Sequence, residues 1–236
     1  GAPNSRLNRE GLRKLKWLVV RDLFLLESAT FWKEGPDNPD PSQIGTEIFF
    51  MPAAAGAEKP GTLTNTQRML QWHDKAVDPP GDCRSDLWFI WHLGRMLRKE
   101  YAGSSRQRDA GLLNMTWDYG MDHQEILPDG TMSRILDEPS AEKVLMEING
   151  YHVRTEQNSR QPAQLRGFEE LKDDGTTACG CWIYCGVFPA ARRNLSAQRP
   201  APGDKRLRTQ GEEHTADGLG AGTESSKPIP HSAFRI

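Results

Sequence analysis

The chain has 236 residues, of which 36% are hydrophobic, and a formal net charge of −2, so its length allows one large or two small domains with a buried core. The near-neutral charge excludes nucleic-acid binding or attraction to an anionic membrane as a default property. No run approaches the about eighteen apolar residues that span a bilayer, which excludes direct membrane insertion by such a segment, and four cysteines are too few for a disulfide scaffold.

The opening Gly1-Ala2-Pro3-Asn4-Ser5 leads into a helical pattern without a charged-then-apolar leader, so the chain is expected to start in mid-domain. Ser5 is the expected cap of a short helix carrying Leu7, Leu12 and Leu15 roughly on one face, and Trp17-Leu18-Val19-Val20 reads as a fully buried strand. A helix followed by an apolar strand points to an α/β layer. Asp22 falls just past the carboxyl end of that strand, where open α/β sheets bind ligands; the alternative for it is a turn or capping carboxylate.

Residues 35–42 hold prolines and turn formers and read as a surface loop. Thr46 to Phe50 gives a second buried strand, ended by Met51-Pro52 because proline has no amide hydrogen for a ladder. The polar stretch from Glu58 to Arg68 is dense in donors and acceptors, and fits either an ordinary hairpin or a ligand cradle. Ser85-Asp86 starts the clearest helix, with Leu87, Ile90, Trp91 and Leu97 at helical spacing and Arg95, Arg98 and Lys99 toward its end; its tryptophans read as packing residues. A further helix begins near Ser140, with Val144, Leu145 and Ile148 on its apolar side and Gly150 as a left-handed stop. Between these helices, and from Tyr151 to Asp174, long irregular connections are expected. From Ala191 to Ile236 the only aromatic residue is Phe234 and apolar periodicity is lost, a composition that cannot offset ordering entropy and predicts a disordered tail.

Cys179, Cys181 and Cys185 are spaced closely enough to invite a soft metal or an iron–sulfur cluster, yet no fourth thiolate or histidine lies nearby and Cys83 is remote. A buried turn is the expected reading. The six histidines include no His-Glu-x-x-His pair, and neither a Gly-x-Ser-x-Gly elbow nor a phosphate loop is present. Residue chemistry alone therefore stops at an α/β chain with one candidate ligand edge.

Longer segments carry a resemblance. Leu15 to Asp22 with Glu27 to Lys33, Thr46 to Ala54, Ala57 to Arg68, Lys75 to Asp82 with Arg84 to Trp88, Glu147 to Gly150, and Asp173 to Tyr184 follow one another as they do in a known family. In these segments the chain resembles the catalytic subunit of respiratory molybdenum- or tungsten-pterin formate dehydrogenases, within the molybdopterin oxidoreductase superfamily. The resemblance implies an α/β fold in which residues 1–103 are part of the cofactor-holding domain, 104–190 a family-specific irregular and helical extension, and 191–236 a disordered tail arising from a frame change or truncation near Arg193.

It implies molybdopterin guanine dinucleotide with molybdenum or tungsten as cofactor, and formate as substrate. It also implies carbon dioxide as product, an iron–sulfur cluster as first electron acceptor, an iron–sulfur electron-transfer subunit as partner, and a periplasmic location. Asp22, Glu58, Thr64, Asn65 and Arg68 are then the expected lining of the dinucleotide pocket or of its domain seam. No residue here matches the family's metal-ligating cysteine or selenocysteine, its catalytic histidine, its substrate arginine or its cluster cysteines. The isolated chain is therefore expected to be inactive and Cys179, Cys181 and Cys185 to bind no cluster. A non-catalytic dinucleotide- or partner-binding remnant, or a segment of another pterin oxidoreductase such as a nitrate reductase, are the rival readings.

Overall fold

The structure, a computed structural model, describes residues 3–33, 40–66, 69–115, 117–121, 126–153, 163–190 and 193–197. In chain order its regular elements are α1 (Ser5–Leu12), β1 (Trp17–Asp22), β2 (Glu47–Pro52), β3 (Gly61–Thr64), β4 (Leu70–His73), α2 (Asp86–Glu100), α3 (Ala110–Asn114), α4 (Ala141–Asn149), β5 (Tyr151–His152) and β6 (Thr177–Ala178). They divide between a first unit, Gly1–Lys59 with Ala76–Leu113 and Glu125–Leu136, and a second, Pro60–Lys75 with Asn114–Gln124 and Asp137–Ile236.

In the first unit the cap of α1 is Asn4 rather than Ser5: its Oδ1 accepts from the Leu7 amide at 3.0 Å, and Ser5 is already helical. Both residue types cap well, so the sequence places the helix start only to within a residue. β1 and β2 pair in parallel from Trp17↔Glu47 to Asp22↔Pro52. Neither strand is fully buried as expected. Trp17 is 70% and Val19 55% exposed on one face, with Phe49 beside them at 40%, whereas Leu18, Val20, Ile48 and Phe50 are half-buried on the other. Parallel strands normally bury both faces, so this pair keeps an apolar face that the unit itself does not cover.

Pro52 ends β2, and beyond it the chain continues in register by single contacts. The Ala53 amide donates to Asp22 O at 3.0 Å, that of Ala54 to Arg84 O at 2.8 Å, and Ala53 and Arg84 form a parallel bridge. That bridge delivers the chain into α2, whose cap Ser85 accepts from the Trp88 amide through Oγ at 2.8 Å. Trp91 and Gly94 form the buried side of α2, and Ile90 and Leu97, expected on its apolar side, are exposed. The half-buried Asp78 accepts from Ser133 Oγ at 2.7 Å and from the Arg134 amide at 2.5 Å, fixing the irregular segment that follows Ile126.

In the second unit the stretch that allowed a hairpin or a cradle is a hairpin: β3 and β4 pair antiparallel from Gly61↔His73 to Thr64↔Leu70. Leu70 and Trp72 of β4 pack with Leu145 of α4 and with Val187 and Phe188 in one core. α4 has the start and stop that the sequence predicts. Ser140 Oγ accepts from the Lys143 amide at 3.2 Å, and Gly150 turns out of the helix at φ 99°. A Cβ at position 150 would lie 3.0 Å from both Ala178 O and Cys179 Cβ, so backbone angle and space both require glycine here. β5 and β6 add a short antiparallel ladder.

The order of this unit extends into the expected tail. Residues 193–197 form a turn beside β4, with the Leu195 amide donating to Val187 O at 2.9 Å and Ser196 buried. A three-residue turn carries no periodicity, which is why composition placed the boundary too early; residues 198–236 of the expected tail lie outside the described residues. Among the described residues no helix is long and apolar enough to cross a membrane.

Candidate cofactor-binding edge

The carboxyl ends of β1 and β2, the Ala53–Arg84 bridge and the first turn of α2 meet at one edge of the first unit. In a parallel sheet this is the edge where strand ends diverge and ligands sit. Asp22 is the last residue of β1 rather than the residue past it, and its Oδ1 accepts from the Leu23 amide at 2.7 Å. Glu58 closes the turn after Ala53-Ala54-Ala55, its carboxylate accepting from the Ala55 amide at 2.8 Å. Both acidic residues expected at a ligand site thus border the same small-residue segment, and both also hold local backbone.

Thr64 and Asn65 belong to the second unit, at the end of β3 and in the hairpin turn. Both are exposed, and Asn65 Oδ1 accepts from the Met69 amide at 3.0 Å. Arg68 lies outside the described residues.

Sequence reasoning missed the basic groups of the edge. Arg21 Nε donates to Asp86 Oδ1 at 3.0 Å and its Nη2 to Arg84 O at 2.5 Å, while its guanidinium stands 4.9 Å from the Phe89 ring centre. Lys59 Nζ donates to the other oxygen of Asp86 at 2.5 Å. Arg84 bonds Cys83 O at 2.8 Å and stands over Trp88. Nothing in the sequence announces this set, since Arg21 and Asp86 are 65 residues apart and only the fold unites them. Arg21, Lys59 and Arg84 carry three positive charges and Asp22, Glu58 and Asp86 three negative ones. The edge is therefore a mixed array of donors and acceptors rather than a one-sign field. Among the described residues no three His, Cys, Asp or Glu side chains gather as a metal-holding group.

Asp86 controls how this array responds to acid. Partial desolvation pushes its carboxyl up, but the hydrogen bonds and charges of Lys59 and Arg21 outweigh that and hold it below the ordinary value of 3.8. A depressed carboxyl stabilises the fold fully above the unfolded value and loses that contribution as pH falls through the folded one. Asp86→Asn is therefore expected to lower the unfolding free energy read from urea titration near neutral pH, by less than about 1 kcal/mol for so exposed a group. The gap from the unsubstituted chain should close below pH 3.8. A gap that widens in acid contradicts the assignment.

Residues 49–95 match the family model described as molybdopterin oxidoreductase. The chain is 37% identical over 195 residues to the formate dehydrogenase-O major subunit of Escherichia coli, an alignment spanning 79% of this chain and 18% of that subunit. It is 33% identical over 205 residues to the formate dehydrogenase major subunit of Haemophilus influenzae, with 84% and 18% covered. With the formate dehydrogenase subunit alpha of Megalodesulfovibrio gigas it shares 31% over 201 residues, with 83% and 18% covered. Residues 49–95 hold most of β2, the whole hairpin and the first part of α2, and this is the stretch of the chain that is similar to the molybdopterin oxidoreductases. The relatives named are major or alpha subunits of formate dehydrogenases, and the chain spans 18% of the length of these three.

Proposed function

We propose that this chain forms one wall of the pterin-dinucleotide pocket in a formate dehydrogenase catalytic subunit, and that the edge of the first unit is the binding part. The observation that carries the reading is the convergence of Arg21, Lys59 and Arg84 with Asp22, Glu58 and Asp86 at the carboxyl end of a parallel strand pair. That donor set fits a molybdopterin guanine dinucleotide: phosphates accept charge-assisted hydrogen bonds from arginine and lysine, and guanine N–H groups and ribose hydroxyls donate to carboxylates.

In this reading Arg21 and Lys59 hold the diphosphate, exchanging part of their hold on Asp86 for it, and Asp22 and Glu58 orient the nucleoside. Ala53-Ala54-Ala55 lets a ligand approach the main chain closely. Thr64, Asn65 and Arg68 are kept in the proposal as candidate lining residues on the family resemblance alone. When bound, the pterin-held molybdenum or tungsten supplies the redox centre that formate reduces. Formate oxidation to carbon dioxide, electron passage to an iron–sulfur cluster and then an iron–sulfur subunit, and a periplasmic location belong to the same proposal. The exposed apolar face of Trp17, Val19 and Phe49 supports it, since a parallel pair of this kind suits the interior of a larger sheet.

A dye-coupled formate assay tests the reading. A polypeptide of the relatives' length that includes this segment, loaded with pterin and metal, is expected to oxidise formate, and the 236-residue chain alone to show no turnover. Turnover by the chain alone, or reduction of nitrate without oxidation of formate by the longer polypeptide, contradicts it.

A further inference from the structure

Three carboxylates stand at the edge of the first unit, and they differ in what they hold. Asp22 accepts from the Leu23 amide and Glu58 from the Ala55 amide, so both fix local main chain. Asp86 instead holds cations, its Oδ1 accepting from Arg21 Nε at 3.0 Å and its Oδ2 from Lys59 Nζ at 2.5 Å. Burial orders these groups from the inside outward: the side chain of Arg21 is 15% exposed, that of Lys59 26% and that of Asp86 61%. An anion arriving from solvent therefore meets the carboxylate before it meets the cations. Neither the arginine nor the helix start depends on that carboxylate. Arg21 keeps its bond from Nη2 to Arg84 O at 2.5 Å and its place 4.9 Å from the Phe89 ring centre, and α2 keeps Ser85 as its cap.

We propose, on the reading of this edge as the dinucleotide site, that Asp86 is its specificity-determining residue: an internal carboxylate that fills the Arg21–Lys59 clamp, keeps single carboxylates out and yields to a diphosphate. A group tethered beside its site acts at an effective concentration of about millimolar or higher. A free monocarboxylate, formate included, offers the same bonds as Asp86 and has to compete against that concentration. A diphosphate carries more charge and more acceptor oxygens than Asp86, and the charge-assisted bonds it makes to guanidinium and ammonium outweigh those it displaces. Asp86 then turns into water, which its exposure permits, while Arg21 stays aimed by Arg84 O and Phe89. The clamp is thus preformed, and Asp86 sets the threshold an anion has to exceed.

The whole chain is titrated with inorganic pyrophosphate near neutral pH by calorimetry. Asp86→Asn is expected to bind it about tenfold more tightly than the unsubstituted chain, the joint effect of losing two partly exposed pairs. Sodium formate should compete more strongly in that variant by the same factor. Asp82→Asn removes the same charge from an exposed position in the loop before α2 and should leave the affinity within about twofold. Adding Arg21→Gln to Asp86→Asn should abolish the gain. Equal affinity in Asp86→Asn and the unsubstituted chain, or an equal gain in Asp82→Asn, overturns the role of Asp86 and leaves the edge as the diphosphate site. Absence of pyrophosphate binding in both chains overturns that role together with the reading of the edge. Should Asp86→Asn fail to fold, the Asp86 carboxyl carbon resonance of the unsubstituted chain decides: a shift to the position of a solvated aspartate on saturation with pyrophosphate supports the exchange, and a resonance unmoved at saturation refutes it.

Discussion

Asn149→Ala is expected to destabilise the second unit by about 3–5 kcal/mol, because buried backbone groups left without partners cost about 1–3 kcal/mol each and are only partly relieved by relaxation. Asn149 is fully buried at the last turn of α4 and ties three stretches of chain together. Its Nδ2 donates to Gly150 O and Leu165 O, both at 3.0 Å, and its Oδ1 accepts from the Gly186 and Phe188 amides, both at 2.8 Å. Alanine strips all four. Asn149→Asp keeps the acceptor but turns a carboxylate oxygen toward two carbonyls, and should be comparably harmful at neutral pH. The measurement is hydrogen exchange at Gly186 and Phe188 together with urea unfolding followed in this unit. Retained protection and a loss under about 1 kcal/mol in the alanine variant are incompatible with this role.

Phe188→Ala is the second large effect, expected to cost about 3–5 kcal/mol as a buried aromatic truncated in a packed core. The ring is 1% exposed and shares its core with Leu70, Trp72, Leu145 and Val187. Trp17→Ala, on the open face of β1, provides the contrast: with the ring 70% exposed in this chain, its loss should change stability within about 0.5 kcal/mol. Comparable urea shifts for the two variants would mean that the open face is covered in solution by something the chain itself supplies.

These contrasts separate what sequence pattern reveals from what it hides. α2 and α4 were readable because their caps, Ser85 and Ser140, precede apolar residues at helical spacing, and Gly150 stops α4 for a steric reason that acts locally. The burial of β1 was not. An apolar run specifies a strand, but which faces are covered depends on chain segments far away, and here the face of Trp17 and Val19 remains open. Likewise Asn149 at a helix end looks like an ordinary cap, and its hub role depends on residues 165 to 188 folding back onto it.

The proposed ligand edge is only partly visible as a sequence pattern. Position in a strand marks Asp22, and polarity marks the Glu58 stretch. The pairing of Arg21 and Lys59 on Asp86 is long-range geometry that no local pattern encodes. Thr64 and Asn65 sit in an exposed hairpin that a donor-rich sequence could equally have made a cradle.

Cofactor retention tests the central claim most directly. Arg21→Gln combined with Lys59→Gln, placed in the loaded polypeptide of the relatives' length, removes two charge-assisted contacts of about 1.5–3 kcal/mol each. Pterin and metal content of the folded fraction after gel filtration should then fall by at least about tenfold, the change that 1.4 kcal/mol produces, a loss counted per folded polypeptide because the variant also breaks both pairs to Asp86. Full pterin and metal content in that variant, with its fold intact, would contradict the assignment of this edge to the dinucleotide.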